Sequence, residues 1–239
     1  MAGLHSYGEA IASKRIDFRP IREEWPAQLQ PADEVRAIVQ TDNDLLRRLP
    51  WHLWNVLQEQ GFSKVEFALS APRSQRRERI YRENVRILAI LGDGQGINVQ
   101  EDRRELKQWC GDAEIVLLEQ PEREQLNRYL WDERGWDILF FAGHSMTEGA
   151  KGRIFLNKTD SLTMEELRYA LEEAAERGLQ VAIFNSCDGL GIAAELESLH
   201  VPQVVVMREP VPDSVAQQFL KDFFREFTGG QSFSQTVGW

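Results

Sequence analysis

From about residue 35 onwards, short runs of consecutive apolar residues alternate with longer stretches in which apolar residues recur every three or four positions. Several of the runs are apolar at almost every position, which is typical of strands buried on both faces of a sheet. We therefore predict strands at residues 35–40, 64–70, 85–91, 114–119, 136–143, 153–157, 179–185 and 202–207.

The amphipathic stretches between these runs predict helices. Residues 163–178 have the most complete pattern, with Thr163 as the N-cap, Glu166 as its capping-box partner and Gly178 as the stop signal. Further helices are predicted at residues 101–110, 123–133, 191–200 and 213–227. This alternation predicts an α/β fold with a mainly parallel central β-sheet and helices on both faces.

The two ends of the chain depart from the alternation. Residues 1–34 are less regular and contain three prolines, so we predict an N-terminal arm or partial subdomain there and the main domain at residues 35–239. The final SFSQTVGW has the pattern of a helix that is cut short. We therefore expect the chain to be one part of a longer protein.

The charge balance restricts the choice of partners. The net charge is -10 at pH 7, and an acidic chain is poorly suited to binding a phosphate backbone. The basic segment RSQRRERIYR, residues 73–82, is a local exception that we interpret as a solvated loop or helix face in preference to a nucleic-acid patch. We expect no nucleic-acid partner.

The chain has two cysteines, Cys110 and Cys187, which exclude a disulfide scaffold and indicate a reducing compartment. Neither belongs to a C-x-x-C pair and the four histidines are scattered, so we expect no metal and no cofactor. No apolar run approaches the roughly 20 residues that a membrane span needs, and the first twenty residues lack a signal-peptide core. We expect a soluble, cytoplasmic protein without a membrane partner.

The glycine-rich segment GDGQG, residues 92–96, follows a predicted strand and has to be weighed as a phosphate-binding loop. Its spacing is G-x-G-x-G, no G-K-[ST] follows, and the glycines do not run directly into a helix. We interpret it as a permissive turn. A small-molecule binder of the doubly wound type that uses this loop is kept as a hypothesis of lower rank.

Two strand ends carry the residues with the most chemical potential. The predicted strand at 136–143 ends in a Gly-His-Ser sequence that contains His144, and the strand at 179–185 runs into Asn-Ser-Cys-Asp-Gly with Cys187. Ligands of open α/β sheets bind at the carboxyl ends of the strands. If these strands are parallel, His144 and Cys187 face each other across neighbouring loops.

A histidine and a cysteine in this arrangement can form a nucleophilic dyad. A free thiol has a pKa near 8.5, and an adjacent imidazole can take its proton and later protonate the leaving amine. The backbone N–H groups of Ser145 and Cys187 are candidates for an oxyanion hole. The simpler alternative is that both residues merely end core strands, and the pattern alone leaves both interpretations open.

FFAGHS and FNSCDG, each at the end of a hydrophobic strand, resemble the CHAT domain, a family of bacterial, often cyanobacterial, caspase-like cysteine peptidases related to separase, caspases and gingipains. LRRLPWHLW (46–54), the segment 85–108 and DSLTMEEL (160–167) resemble it as well, so the likeness covers the chain from about residue 35 to the end. The resemblance implies a caspase-like fold that cleaves protein or peptide substrates, with His144 as general base and Cys187 as nucleophile.

The chain departs from the family pattern at two places. Ser145 stands where the family usually has glycine, although its backbone N–H remains available to an oxyanion. Relatives often bind a basic P1 side chain through an acidic residue after the strand that follows the cysteine, and Asp213, with Glu209 nearby, matches it without the usual tryptophan. Asp188 is a third candidate for substrate binding, and Asp213 can alternatively act as a helix N-cap.

The resemblance also implies regulation, because members of this family are usually fused to repeats, ATPase domains or other sensing domains. We therefore expect regulatory domains or partner proteins, and we predict a mobile loop at SMTEGAKG, residues 145–152. The leading hypothesis is a cysteine endopeptidase. The alternative is a catalytically idle CHAT-like module for signalling or interaction.

Overall fold

In a computed structural model of the chain, the structure describes residues 19–41, 43–70, 82–110, 112–148, 151–186, 189–199, 201–207 and 211–228. The described residues fall into two compact units, residues 19–70 and residues 82–228. The sequence predicts an N-terminal arm at residues 1–34 and the main domain at residues 35–239. The two compact units do not test that boundary.

The first unit is built around aromatic side chains. Its elements are α1 (Arg19–Gln28), β1 (Val35–Gln40), α2 (Asp44–Arg48), a 3₁₀ turn (Trp51–Leu53), α3 (Asn55–Glu59) and β2 (Val65–Ser70), and β1 pairs with β2 in parallel. The ring of Trp25 on α1 lies 5.9 Å from Trp54 and 6.2 Å from Phe62, edge to face in both cases. α1 is therefore fixed to its unit by aromatic packing.

The second unit contains a five-stranded sheet in which every strand is parallel to its neighbours. Its strands are β3 (Arg86–Leu91), β4 (Glu114–Glu119), β5 (Ile138–Ala142), β9 (Val181–Asn185) and β10 (Gln203–Val206), in the spatial order β10-β9-β5-β3-β4. Crossover helices connect parallel strands. They are α4 (Val99–Trp109), α5 (Arg123–Leu130), α6 (Arg168–Glu176) and α7 (Leu190–Ser198), and a further helix, α8 (Asp213–Thr228), follows the last strand, β10.

Alternate residues of the central strands supply two hydrophobic cores. On β5, Leu139 and Phe141 pack with α5, α6 and α7, whereas Ile138 and Phe140 pack on the opposite face with α4 and α8. β3 and β5 are buried at every position, which explains their unbroken apolar runs. The predicted α/β fold, with a parallel sheet and helices on both faces, is confirmed.

A small antiparallel sheet is inserted between β5 and α6. It consists of β6 (Ser145–Glu148), β7 (Lys151–Phe155) and β8 (Ser161–Thr163), in the order β6-β7-β8. The segment 145–152 that we predicted as a loop is therefore mostly strand, apart from residues 149 and 150, which lie outside the described residues. Part of this sheet is open to solvent, so its strands contain small and polar residues. The segment therefore lacks the apolar pattern by which a strand is predicted from the sequence.

The helix predicted at residues 163–178 has its capping box but begins later. The Thr163 hydroxyl accepts a hydrogen bond from the Glu166 N–H at 3.1 Å, and the Glu166 carboxylate accepts one from the Thr163 N–H at 2.7 Å. Thr163 pairs with β7, however, so a turn separates it from the first residue of α6, Arg168. At the other end Gly178 has φ +107°, as a glycine stop requires.

Within the described ranges, no helix is both long and apolar enough to cross a lipid bilayer.

Candidate active site

The two polar strand ends lie side by side at the carboxyl edge of the sheet. β5 and β9 are parallel neighbours, and their register pairs Ala142 with Asn185. The N–H of Gly143 donates to the Asn185 carbonyl at 3.4 Å, which carries the pairing one residue past β5. The neighbouring, parallel arrangement predicted for these two strands is therefore confirmed.

The ring of His144 is half-buried and is held by a main-chain group. Its Nε2 lies 2.8 Å from the carbonyl oxygen of Gln95. A carbonyl oxygen only accepts hydrogen bonds, so in the neutral ring Nε2 carries the hydrogen and Nδ1 keeps its lone pair. The contact thus selects the tautomer in which Nδ1 is the basic nitrogen.

The loop that supplies this carbonyl is the GDGQG segment, and β5 and β7 hold it in place. The N–H of Gly92 donates to Ala142 at 2.8 Å, the N–H of Asp93 donates to Phe155 at 3.0 Å, and the N–H of His144 donates back to the Asp93 carbonyl at 3.2 Å. The Asp93 carboxylate also accepts from the N–H of Gln95 at 3.3 Å. The segment is a turn, as predicted, and it also positions the histidine.

Two glycines permit this close packing. A Cβ on Gly92 would lie 2.3 Å from the Phe155 carbonyl oxygen, which is too close for any side chain. Gly143 has φ +156°, and a Cβ there would lie 3.0 Å from the Phe141 ring. Gly92 is therefore favoured because there is no space for a side chain. Gly143 is favoured because of limited space and because of its backbone conformation.

The other predicted site residues are described only in part. Cys187, Asp188 and Glu209 lie outside the described residues. Asp213 is the first residue of α8, and its side chain also lies outside the description. Ser145 is the first residue of β6 and pairs with Ile154. The roles assigned to these residues stay predictions.

A buried polar pair at the same edge was not predicted from the sequence. Asn185, the last residue of β9, donates from Nδ2 to the Asp102 carboxylate on α4 at 3.0 Å. Asp102 is 3% exposed and Asn185 is 6% exposed. The two residues are 83 positions apart and come together because β3, which leads to α4, lies beside β5. No local pattern signals such a pair.

The hairpin after His144 packs tightly on α7, the helix that follows Cys187 in sequence. The N–H of Gly152 donates to the Glu195 carboxylate at 2.8 Å. A Cβ on Gly191 would lie 2.8 Å from Cγ2 of Thr147, so the helix backbone approaches the hairpin closely. The two segments that follow the strand ends are therefore fixed to each other.

Cys110, at the end of α4, has the environment of a core residue. It is 8% exposed and packs in the same cluster as Leu106 and Phe224. Burial raises the pKa of its thiol to about 11, so it is protonated and unreactive near neutral pH. Among the residues that the structure describes, His, Cys, Asp and Glu side chains do not gather in threes that could hold a metal ion.

Comparison with known proteins identifies the family of the chain. The family model of the CHAT domain matches residues 9–238, nearly the whole chain, whereas the search of curated proteins finds no significant match. The matched range includes both strand ends and the turn that binds His144. The chain therefore belongs to the CHAT domain family, a family of caspase-like peptidases.

Proposed function

We propose that the protein is a cysteine endopeptidase of the caspase-like clan, with His144 as general base and then acid and Cys187 as covalent nucleophile. The pairing of β5 with β9 carries this proposal. His144 follows Ala142 by two residues, and Cys187 follows Asn185 by two residues, so the register that pairs Ala142 with Asn185 predicts them at matching positions. Neighbouring strands are about 4.8 Å apart, and we expect the two side chains to come within reach of each other.

The orientation of the His144 ring supports the same roles. β3 and β9 lie on opposite sides of β5, and the loop that carries Gln95 follows β3. The two nitrogens of an imidazole point in nearly opposite directions. Because Nε2 binds the Gln95 carbonyl on the β3 side, we propose that the basic Nδ1 faces the β9 side, where the chain leads to Cys187.

The proposed reaction begins when Nδ1 of His144 takes the proton of the Cys187 thiol and the sulfur attacks the carbonyl carbon of the scissile peptide bond. The backbone N–H groups of Ser145 and Cys187 are the proposed donors to the resulting oxyanion. The C–N bond then breaks and the imidazolium protonates the leaving amine. A water molecule, deprotonated by the same imidazole, attacks the thioester and releases the acid and the free thiol.

Substrate choice and control are the finer parts of the proposal. We propose a preference for a basic P1 side chain, with Asp213, Glu209 and Asp188 as the acidic residues suggested by the sequence. Regulatory domains or partner proteins would control the activity, and we propose that it operates in the cytoplasm.

Proteolysis of candidate protein substrates tests the proposal. We expect cleavage by the wild-type chain and none by Cys187→Ala or His144→Ala. Cys110→Ala is the matched control, because this thiol is buried in the core, and it should cleave like the wild type. Equal cleavage by the wild type and Cys187→Ala would refute the proposal, and an absence of cleavage by all four proteins would favour the idle CHAT-like interaction module.

A further inference from the structure

One stripe of helix α4 faces the central sheet, and its first buried position is polar. Leu106 and Cys110 on this stripe pack in the same core cluster as Ile183 of β9. Asp102 stands four residues before Leu106, so it lies on the same face of the helix, and it is 3% exposed. An aspartate is almost never buried in this way unless it has a partner. Its position therefore calls for an explanation other than packing.

The partner of Asp102 is the last residue of β9, on the same side of the sheet. Val181 and Ile183 pack in the cluster that contains Leu106, and Asn185 follows them at the same period of two. The Asn185 amide Nδ2 donates to the Asp102 carboxylate at 3.0 Å. Among the described residues, this is the one hydrogen bond of the Asn185 side chain, because its Oδ1 has no partner. The position of this side chain thus depends on Asp102.

Asn185 and Ser186 connect this contact to the proposed nucleophile. They directly precede Cys187 in the sequence, and both are buried. The Ser186 hydroxyl has no hydrogen-bond partner in the part of the chain that the structure describes, so it does not anchor the strand end. A cavity of about 40 Å³, lined by Asp102, Asn185, Ser186 and Gly143, leaves one side of this strand end loosely packed. Within the described part of the chain, the bond to Asp102 is therefore the side-chain hydrogen bond that anchors these two residues.

The segment that carries Asp102 also holds the histidine. Residues 92–102 comprise the turn after β3 and the first turn of α4, and we call them the β3–α4 segment. Its Gln95 carbonyl lies 2.8 Å from Nε2 of His144. Its Asp102 carboxylate binds Asn185. One continuous segment thus contacts both the histidine and the strand end that leads to the proposed nucleophile.

We propose that Asp102 is a positioning residue of the peptidase and that it acts through Asn185. By fixing this side chain, it sets the place of Cys187 relative to His144. The inference rests on the proposed function, because it takes these two residues to be the reacting pair. The β3–α4 segment holds both sides and so keeps the sulfur and the imidazole at one separation. A displacement of about 1 Å in such a pair can lower the reaction rate roughly 100-fold.

Paired leucine substitutions separate positioning from stability. Asp102→Leu alone leaves the Asn185 amide buried without its partner, so it should lower both the stability and kcat. Asp102→Leu combined with Asn185→Leu replaces the pair by two apolar side chains of similar size, which is nearly neutral for stability. We expect this double variant to unfold in urea close to the wild type, with kcat lower by roughly tenfold or more and KM changed much less. If the double variant regains kcat together with stability, the role of Asp102 is structural only and the inference is overturned.

A conservative variant and a matched control sharpen the test. Asp102→Asn keeps an oxygen that accepts from Asn185 Nδ2, so it should lose much less kcat than Asp102→Leu. Glu105→Leu is the control, because Glu105 is a buried carboxylate on the same helix that accepts a hydrogen bond from the Trp109 indole at 2.8 Å. This control should lower the stability and leave kcat unchanged. An equal loss of kcat in Glu105→Leu and Asp102→Leu would contradict the inference.

Amide hydrogen exchange separates this inference from the proposed function, because it requires no peptidase activity. In peptides that cover residues 184–190, the double variant should exchange roughly tenfold faster than the wild type and Glu105→Leu. If the wild type cleaves peptides, kcat decides, and a double variant as active as the wild type would overturn the inference and keep the peptidase. If the wild type cleaves nothing, exchange decides. Faster exchange would then keep Asp102 as the anchor of the strand end and refute the peptidase, and unchanged exchange would overturn both.

Discussion

The imidazole Nε2 of His144 lies 2.8 Å from the carbonyl oxygen of Gln95, and this contact joins the end of β5 to the turn that follows β3. A main-chain carbonyl here fixes both the position and the tautomer of the ring, the task that a third side chain performs in many catalytic triads. The Gln95 side chain contributes nothing to this contact. Substitutions in the turn therefore distinguish the carbonyl from the side chain.

Gln95→Ala should retain activity, because it keeps the carbonyl, whereas Asp93→Ala should lower kcat. Asp93 accepts the N–H of Gln95 at 3.3 Å and so fixes the turn that presents the carbonyl. Peptide cleavage measured between pH 5 and 9 checks this expectation. Asp93→Ala should change kcat and its dependence on pH, and it should change KM less. The account would be wrong if Gln95→Ala were as damaging as Asp93→Ala.

Cys110 should resist alkylation in the native protein. With a pKa of about 11, roughly one thiol in a thousand is ionised at pH 8. Mass spectrometry after brief iodoacetamide treatment should find Cys110 unmodified in buffer and modified in concentrated urea. Rapid modification of Cys110 in the native state would show that its thiol is exposed or activated.

Gly152→Ala should lower activity by disturbing the contact between the β6–β7 hairpin and α7. The added Cβ would lie 2.6 Å from the backbone nitrogen of Ile192, which cannot move without shifting the helix. We expect a loss of about 2 kcal/mol in the free energy of unfolding and a larger relative loss of kcat/KM. Gly96→Ala is the comparison, because a Cβ at Gly96 meets no atom within 4 Å and adds only the strain of φ +82°. Equal effects on kcat/KM in the two variants would argue against a role for the hairpin contact.

Arg86 organises an ionic cluster at the opposite edge of the sheet. Its guanidinium lies 4.2 Å from the Trp136 ring, 3.2 Å from the Glu114 carboxylate and 3.4 Å from Asp132. The hydrogen bond from Arg86 lowers the pKa of Glu114. Burial by itself raises the pKa of Asp132, but hydrogen bonds from Arg86 and the Arg134 N–H, together with the charges of both arginines, bring it below its usual value.

Arg86→Met should destabilise the protein by about 1–2 kcal/mol at pH 7, because it removes a buried guanidinium whose partners, Glu114 and Asp132, are themselves partly screened by solvent. Both carboxyl pKa values are depressed in the folded state. The stability that these two carboxylates add to the folded protein is therefore fully present above their unfolded pKa values, which are near 4. It is lost as the pH falls through their lower folded-state pKa values. Urea unfolding at pH 7 and pH 3 should show a smaller difference between wild type and variant at pH 3. Arg128→Met, in an exposed pair with Glu124, should cost about 0.5 kcal/mol or less, and an equal cost for the two variants would contradict this account.

Local patterns predicted the carboxyl ends of β5 and β9 to within one residue, because burial on both faces leaves an unbroken apolar run that stops where the chain reaches the edge of the sheet. Ala142 and Asn185 end such runs. Thr163 and Glu166 were correctly paired, but the start of α6 was misplaced because Thr163 also pairs with β7, which is a tertiary contact.

The contributions of Gln95 and Asp102 could not be predicted from the sequence. Gln95 acts through a carbonyl that every residue has, so its side chain carries no signal. Asp102 resembles any acidic residue in the first turn of a helix until the strand order brings it to Asn185. Both contacts depend on β3 lying beside β5, which is a property of the whole fold.

The proposed dyad is tested most directly by the rate at which a thiol-directed probe modifies Cys187 in the wild type and in His144→Ala, with Cys110 as the internal reference. At pH 7 an unassisted thiol is only a few per cent ionised, so assistance by His144 should make the wild-type rate roughly tenfold higher or more. The account predicts labelling at Cys187, none at Cys110, and loss of the enhancement in His144→Ala. Equal labelling rates for Cys187 in the wild type and in His144→Ala would contradict it.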